Sequence, residues 1–355
     1  MRNLLKLFSA AMMIIACHGA GAQTIFVDPV KGDDQSPGTS DAPFASLEKA
    51  ALAAAALPGN AAITIKLAPG LYLLKNKVTV ATGKAYGFGA RFTIEATVMP
   101  DDTAWTPEKM PVIQSVSGNN NDPNRKFPHC VGLLIAANNV VIQGLKFTGN
   151  AHPGVNYYYP VKKEDTLYSG LKVAQCYFVG DKNVAPIQGA LWAHGSRTEV
   201  EHCIFYGCKN ALLLFRGIKD FSLTHSIIYG AYEAAVWFGP FTDDFSFRDN
   251  VVSNCNFFWL RPEDTYPEYT FSNSIIANNK NYTGVYRTAG GLAPIDKNNF
   301  KENHIRKKAS VVLNEVEMDG MQKGYLNLSP KSDGYDIAAG IFSSRTKKHE
   351  SESRE

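Results

Sequence analysis

Between residues 142 and 278 one pattern of apolar and polar positions keeps returning. It reads VAQCYFVG (173–180), VEHCIFYG (200–207), LTHSIIYG (223–230), FRDNVVSN (247–254) and FSNSIIAN (271–278), with an earlier copy in IQGLKFTG (142–149). Aligned on the last apolar residue of each, Phe147, Phe178, Phe205, Ile228, Val252 and Ile276, the copies step by 31, 27, 23, 24 and 24 residues. Five residues earlier stand Ile142, Val173, Val200, Leu223, Phe247 and Phe271, apolar every time. Two residues earlier stand Leu145, Cys176, Cys203, Ser226, Asn250 and Ser274, small or polar in all but the first. Two residues after stand Gly149, Gly180, Gly207, Gly230, Asn254 and Asn278, types that tolerate left-handed turn geometry. A second, shorter apolar strand precedes the later copies: ALWAH (190–194), ALLLF (211–215), AAVWF (234–238) and NFFWL (256–260).

Short strands and tight bends repeating in the low twenties, without a helical period, predict a solenoid. One such unit cannot bury a core alone, but parallel strands stacked about 4.8 Å apart enclose one. The predicted fold class is all-β: a single-stranded right-handed parallel β-helix in which like residues lie above like. Cys176 and Cys203 then become neighbours in an inward ladder continued by Ser226 and Asn250. Free thiols filling the core are expected there, with a disulfide as the alternative. Cys208 and Cys255 share another column two coils apart, too far to bond.

A solenoid needs its ends closed. Residues 40–56 predict a capping helix, with Ser40 or Asp41 as cap, Pro43 in the first turn and Phe44, Leu47, Ala51 and Leu52 as its apolar stripe. ITIKLAPGLY (63–72), KVTV (77–80), RFTIEA (91–96) and PVIQSV (111–116) begin the coils. YLNLSPKSDGYDIAAG (325–340) is expected to lay a final strand and loop over the last coil, and the polar stretch 343–355 to be disordered.

The first residues change the picture of where the protein works. Arg2 and Lys6 precede the apolar run LFSAAMMIIA, which is short for a membrane span, and AGA (20–22) fits a signal-peptide cleavage site. The expected division is 1–22 signal peptide, 23–342 β-helix and 343–355 tail. IIAC (14–17) offers a second reading, a lipobox that would anchor Cys17 to lipid. Either way the protein is expected to be exported: secreted, periplasmic or an outer-membrane lipoprotein, without a transmembrane span. Without Arg2 and Lys6 the 36 basic residues become 34, against 33 acidic ones. That balance argues against nucleic acid as the main partner. Five cysteines then remain, an odd number that argues against a simple disulfide framework.

IFVDPVKGDDQSPGTSDAPFASLEKAA (25–51), the six later coils and the closing SP…AAG segment resemble secreted pectate-lyase-like β-helix proteins. The resemblance runs over most of residues 25–341. It implies the fold strongly and the chemistry loosely, since that superfamily includes polysaccharide lyases, glycoside hydrolases, uronate epimerases and members without known activity. Asp28, Asp33, Asp34 and Asp41 match the opening motif and are read as holding the N-terminal turns. The resemblance also implies a substrate lying along a groove on one parallel sheet, walled by long bends.

Two insertions are candidate walls: residues 148–170, with Tyr158 and Lys162 as substrate contacts, and 179–189. The bends after the second strand column carry His194, Arg216 and Arg261. These are the catalytic candidates, because β-elimination needs a base for the proton alpha to a uronate carboxylate and positive charge to neutralise that carboxylate. The competing reading pairs Arg216 with Asp244 or Glu263. Trp237 and Trp259, with Trp192, are either a sugar-stacking stripe or core. Glu233, Asp244, Glu263 and Asp264 are the carboxylates open to a hydrolase. His202, His225 and Asp249 form a column open to a metal, but bend positions usually face solvent, and no metal ligand is assigned. Calcium remains open as a cofactor if Asp243, Asp244, Glu263 and Asp264 converge. The expected function is a monomeric lyase acting on acidic polysaccharide, with a non-catalytic glycan- or partner-binding protein as the alternative and a glycoside hydrolase third.

Overall fold

The computed structural model describes residues 23–58, 60–82, 90–121, 127–180, 186–239, 245–266, 268–287, 290–314 and 324–341. The signal segment, Cys17 and the polar tail lie outside the described residues. Among the described residues the strands form two sheets, of seventeen and nine strands, wound as a parallel β-helix. The expected columns pair residue for residue. Phe147, Phe178, Phe205, Ile228, Val252 and Ile276 are successive partners, as are Ile142, Val173, Val200, Leu223, Phe247 and Phe271. Both columns point inward and are buried. Phe147, Phe178 and Phe205 stack ring on ring at 4.9 Å.

Each coil contributes two strands to the larger sheet, divided by a sharp bend. The bend residue adopts positive φ in every copy: Gly144, Gln175, His202, His225, Asp249 and Asn273. Gly207, Gly230, Asn254 and Asn278 likewise take positive φ at the next corner. Gly180 does not, yet a side chain there would meet the Gly207 carbonyl at 2.1 Å. Between the strands runs the polar ladder. The Cys203 N–H donates to Ser226 Oγ at 3.1 Å, the Ser226 N–H to Asn250 Oδ1 at 2.9 Å and the Asn250 N–H to Ser274 Oγ at 2.9 Å. All five described cysteines are buried free thiols.

At the N-terminal end the helix is shorter than expected, Leu47–Ala56, and its N-cap is Ser46 rather than Ser40 or Asp41. The reason is Asp34, which accepts hydrogen bonds from the Ser46 hydroxyl and from the Ala45 and Ser46 N–H groups, fixing the chain just before the first turn. Leu47, Ala50, Ala51 and Ala54 are the buried stripe, while Leu52 is exposed. Asp28 and Asp33 hold local turns as expected, accepting from Val30 and Gln35.

The C-terminal segment departs from expectation. Residues 324–341 do not close the last coil but run back over the outside of the larger sheet. Leu326, Leu328, Ile337 and Ile341 cover an outward column of Tyr177, Ile204, Ile227, Val251 and Ile275. The Tyr177 hydroxyl donates to Tyr325 O at 2.6 Å and the Gly340 N–H to His225 O at 2.8 Å. The last strand of that sheet, Lys301–Arg306, is left mostly exposed and is charged, which discourages pairing with another chain.

Asn250 stands at the centre of the ladder: its Oδ1 serves Ser226 and its Nδ2 donates to Leu223 O at 2.8 Å. Asn250→Ala strands both groups inside the core, so it should lower stability by about 2–4 kcal/mol. Denaturant unfolding checks this; a change within the scatter of surface substitutions would contradict it.

Candidate functional site

The C-terminal segment covers one outward column of the larger sheet. Its other column, with Lys172 and Glu199, stays open and carries a cleft of about 390 Å³, but the expected site residues fall on the nine-stranded sheet, whose outer face is the surface to examine. Its register fixes which side chains look out. Leu134, Lys162, Trp192, Leu213, Trp237 and Leu260 are successive outward partners. Two residues further along their strands come Ala136, Glu164, His194 and Phe215. The column between points inward and holds Ile135, Lys163, Ala193, Leu214, Phe238 and Arg261.

This parity sorts the expected site residues. Tyr158 faces inward and is fully buried, with its hydroxyl without a hydrogen-bond partner among the described residues. It cannot touch a substrate; Tyr157 and Tyr159, one residue either side, take the outward positions. Trp259 pairs with Val236, not Trp237, and that one-residue offset sends it into the core. It is therefore not part of a stacking stripe. Arg261 pairs with the level of Phe238, two residues short of the level of Arg216. Its guanidinium turns back to the Pro262, Glu263 and Lys297 carbonyls at 3.0–3.1 Å and lies 4.3 Å from the Tyr266 ring. At 1% exposure it offers nothing to a ligand. Trp237 is on the outer face and half-buried, between Phe215 and Tyr286.

Lys162 also faces outward, but the segment 127–129 and Trp192 enclose it, leaving it 2% exposed. Its ammonium donates to His129 Nε2 and to Glu164 Oε2, both at 3.0 Å, and lies 4.1 Å from the Trp192 ring. Lys162 is thus a support for Glu164 rather than a substrate contact. His129 and Glu164 were not singled out by the sequence. Glu164 was findable, two residues past Lys162 and level with His194. His129 had no local signal beyond a polar residue ahead of an apolar strand.

His194 is 3% exposed. Its Nδ1–H donates to Ala193 O at 3.2 Å, and its Nε2 accepts from the Trp192 indole N–H at 3.0 Å. Burial, with the Arg216 and Lys162 charges opposing protonation, pulls its pKa down to about 4, despite the Ala193 contact and Glu164 acting the other way. The ring is therefore neutral at neutral pH. Arg216 is exposed at the rim and makes no ion pair among the described residues; Glu263, one of its expected partners, binds Arg287 at 2.8 Å instead. Asp244, the other, lies outside the described residues. Glu164, Asp165, Tyr168 and Arg216 line an open cleft of about 540 Å³ floored by Leu134 and Ala136. Arg216 and Glu164 thus line the cleft, His194 and Lys162 lie buried beside them without lining it, and Arg261, Tyr158 and Trp259 are separated from them.

Glu233 and the His202–His225 column resolve as structure. Glu233 is held by Lys209 at 3.2 Å and by the Asn210 amide at 2.8 Å. His202 and His225 stack at 4.8 Å, but His202 Nδ1 is bonded to Gly340 O at 2.8 Å beneath the C-terminal segment. Among the described residues no three His, Cys, Asp or Glu side chains are placed to hold a metal ion. Asp243 and Asp244, half of the carboxylates considered for calcium, lie outside those residues. No helix of the described residues is long and apolar enough to cross a membrane.

Residues 131–315 match a family described as a right handed beta helix region. No curated protein matches the chain. Among solved structures, a rhamnogalacturonan lyase is 13% identical with a TM-score of 0.44, over 81% of this chain and 83% of that one. Pectin methylesterase PemA from Erwinia chrysanthemi is 13% identical with a TM-score of 0.36, over 84% and 92%. A GH136 lacto-N-biosidase from Eubacterium ramulus is 10% identical with a TM-score of 0.33, over 81% and 68%.

The buried, neutral His194 gives a pH signature. Its pKa is about 4 folded and about 6.5 unfolded, so the unfolded chain takes up its proton first as pH falls. Its contribution is intact above pH 6.5 and is lost between pH 6.5 and 4, on the order of 3 kcal/mol. His194→Gln should flatten stability across that window; an unchanged pH profile would contradict the assignment.

Proposed function

The chain belongs to the right-handed β-helix family, and from the side chains gathered on the outer face of its nine-stranded sheet we propose that it binds an acidic polysaccharide and cleaves it by β-elimination. The observation that carries the reading is that Arg216 and Glu164 line one cleft, with neutral His194 and Lys162 buried beside them and Trp192 and Trp237 outward on the same sheet. Arg216 meets a uronate carboxylate, lowering the cost of charge that develops on it. His194 Nε2 takes the proton alpha to that carboxylate. The electron pair left behind forms the new carbon–carbon double bond, and the glycosidic C–O bond at the adjacent carbon breaks. The departing oxygen takes a proton, giving an unsaturated uronyl end and a new hydroxyl. Glu164, held by Lys162, stabilises the imidazolium formed on the way. Substrate must first displace the Trp192 N–H from Nε2, which couples catalysis to occupancy of the face. The leader-like first residues support export, to the periplasm or outside the cell, where such polymers are met.

One observation favours a second reading. Both ring nitrogens of His194 are engaged, and Arg261 is withdrawn from the face. A protein that binds the polymer without cutting it would show the same arrangement.

The test is a screen of the mature protein against uronate polymers for the near-ultraviolet absorbance of an unsaturated uronyl end. The proposal expects absorbance that falls at least roughly a hundredfold in Arg216→Ala and His194→Ala. Binding without absorbance or new reducing ends selects the second reading, new reducing ends without absorbance indicate a hydrolase, and no binding at all removes both proposed readings.

A further inference from the structure

The charge along this face deepens the reading just given, on which it rests. Coils follow one another at about 4.8 Å, a step close to the length of one pyranose unit in an extended glycan. A chain lying along the axis therefore presents about one sugar to each coil. Of the cations on or beside the face, Lys162 is matched by Glu164, Lys209 by Glu233 and Arg287 by Glu263. Arg261 is buried against three carbonyls. Arg216 is left as the exposed cation that lines the cleft and has no ion-pair partner among the described residues, while Lys297, also exposed, lies further along the axis beside Tyr266.

One coil further on, the face changes character. Trp237 lies between Phe215 at 5.6 Å and Tyr286 at 5.4 Å, and Tyr286 is 43% exposed. Trp237 packs on Ala234, Phe257 and Leu260, with Leu292 beside it. An apolar aromatic surface stacks on the C–H face of a sugar, and desolvating a carboxylate there without a partner would be costly.

We infer that this protein selects a heteropolysaccharide in which acidic units are separated by neutral ones, with one uronate at Arg216 and a neutral pyranose on the Trp237–Tyr286 platform. A homopolyuronate would place an unmatched carboxylate over Trp237. Selectivity then lies in the spacing of charge rather than in its total.

Calorimetric binding to equal-length oligosaccharides tests this. One arm uses alternating uronate–neutral chains, from unsulfated hyaluronan and unsulfated chondroitin among others; the second uses oligogalacturonate and oligomannuronate; the third uses uncharged cello-oligosaccharides. The expected result is tighter binding to an alternating chain by at least roughly tenfold, with a shallow salt dependence. Trp237→Ala should remove most of that preference, Trp237→Phe should restore it, and Tyr286→Ala, at a more exposed position, should reduce it. A homopolyuronate bound as tightly as any alternating chain, with Arg216→Ala weakening it, would overturn the inference while leaving the acidic-polysaccharide reading in place. If no acidic chain binds, or cello-oligosaccharides bind best and Arg216→Ala changes nothing, the reading and the inference fall together.

Discussion

A coil of two dozen residues buries too little to fold alone, and stacking on the next coil in exact register is what makes it a structure. Each inward residue finds its counterpart one strand away, so Phe147, Phe178 and Phe205 stack and the Cys203–Ser226–Asn250–Ser274 ladder closes its own hydrogen bonds. The same register decides chemistry. A shift of one residue exchanges core for surface, which is why Trp237 looks out and Trp259 looks in although both stand in near-identical apolar strings.

A β-helix has several outer faces, and this chain treats them differently. On the larger sheet the outward column from Tyr177 to Ile275 is apolar and would be a sticky stripe if bare. The C-terminal segment covers it, held by Tyr177, His202 and His225 as well as by Leu326, Ile337 and Ile341. Among the described residues the nine-stranded sheet is covered in part, by Phe127–His129 over Lys162, and carries a cleft, half-buried aromatics and partly shielded charge. Lys162 illustrates how such charge is kept on a sheet face: a buried ammonium is tolerable because a carboxylate, an imidazole nitrogen and an aromatic ring meet it together.

Strand columns were legible in the sequence because the repeat is written in residue types that stacking requires: apolar at the core, small or polar on the ladder, Gly or Asn at the corner. Long-range cover was not. The paired apolar residues Tyr177–Phe178, Ile204–Phe205 and Ile227–Ile228 did carry a hint, since a half-exposed strand should alternate, and two apolar neighbours mean that both faces are buried. Site residues divided on parity. His194 and Arg216 were placed beside one cleft. Tyr158 and Trp259 were lost to the inward face, because irregularities near Gly132 and Gly189 and the offset before Trp259 shift the phase without changing composition. Lys162 and Arg261 were named for their charge, but their burial depends on segments distant in sequence, Phe127–His129 and Lys297, that no local pattern announces.

The central claim is that ligand lies on the open face of the nine-stranded sheet. Oxidative footprinting read by mass spectrometry, with and without the tightest-binding acidic polysaccharide, tests it directly. The account predicts protection of Trp192, Trp237 and Tyr286, with Val312 beside the C-terminal segment and Leu71 near the N-terminal end unchanged. Protection at Val312 with Trp237 still oxidised would put the ligand on the covered side and contradict it.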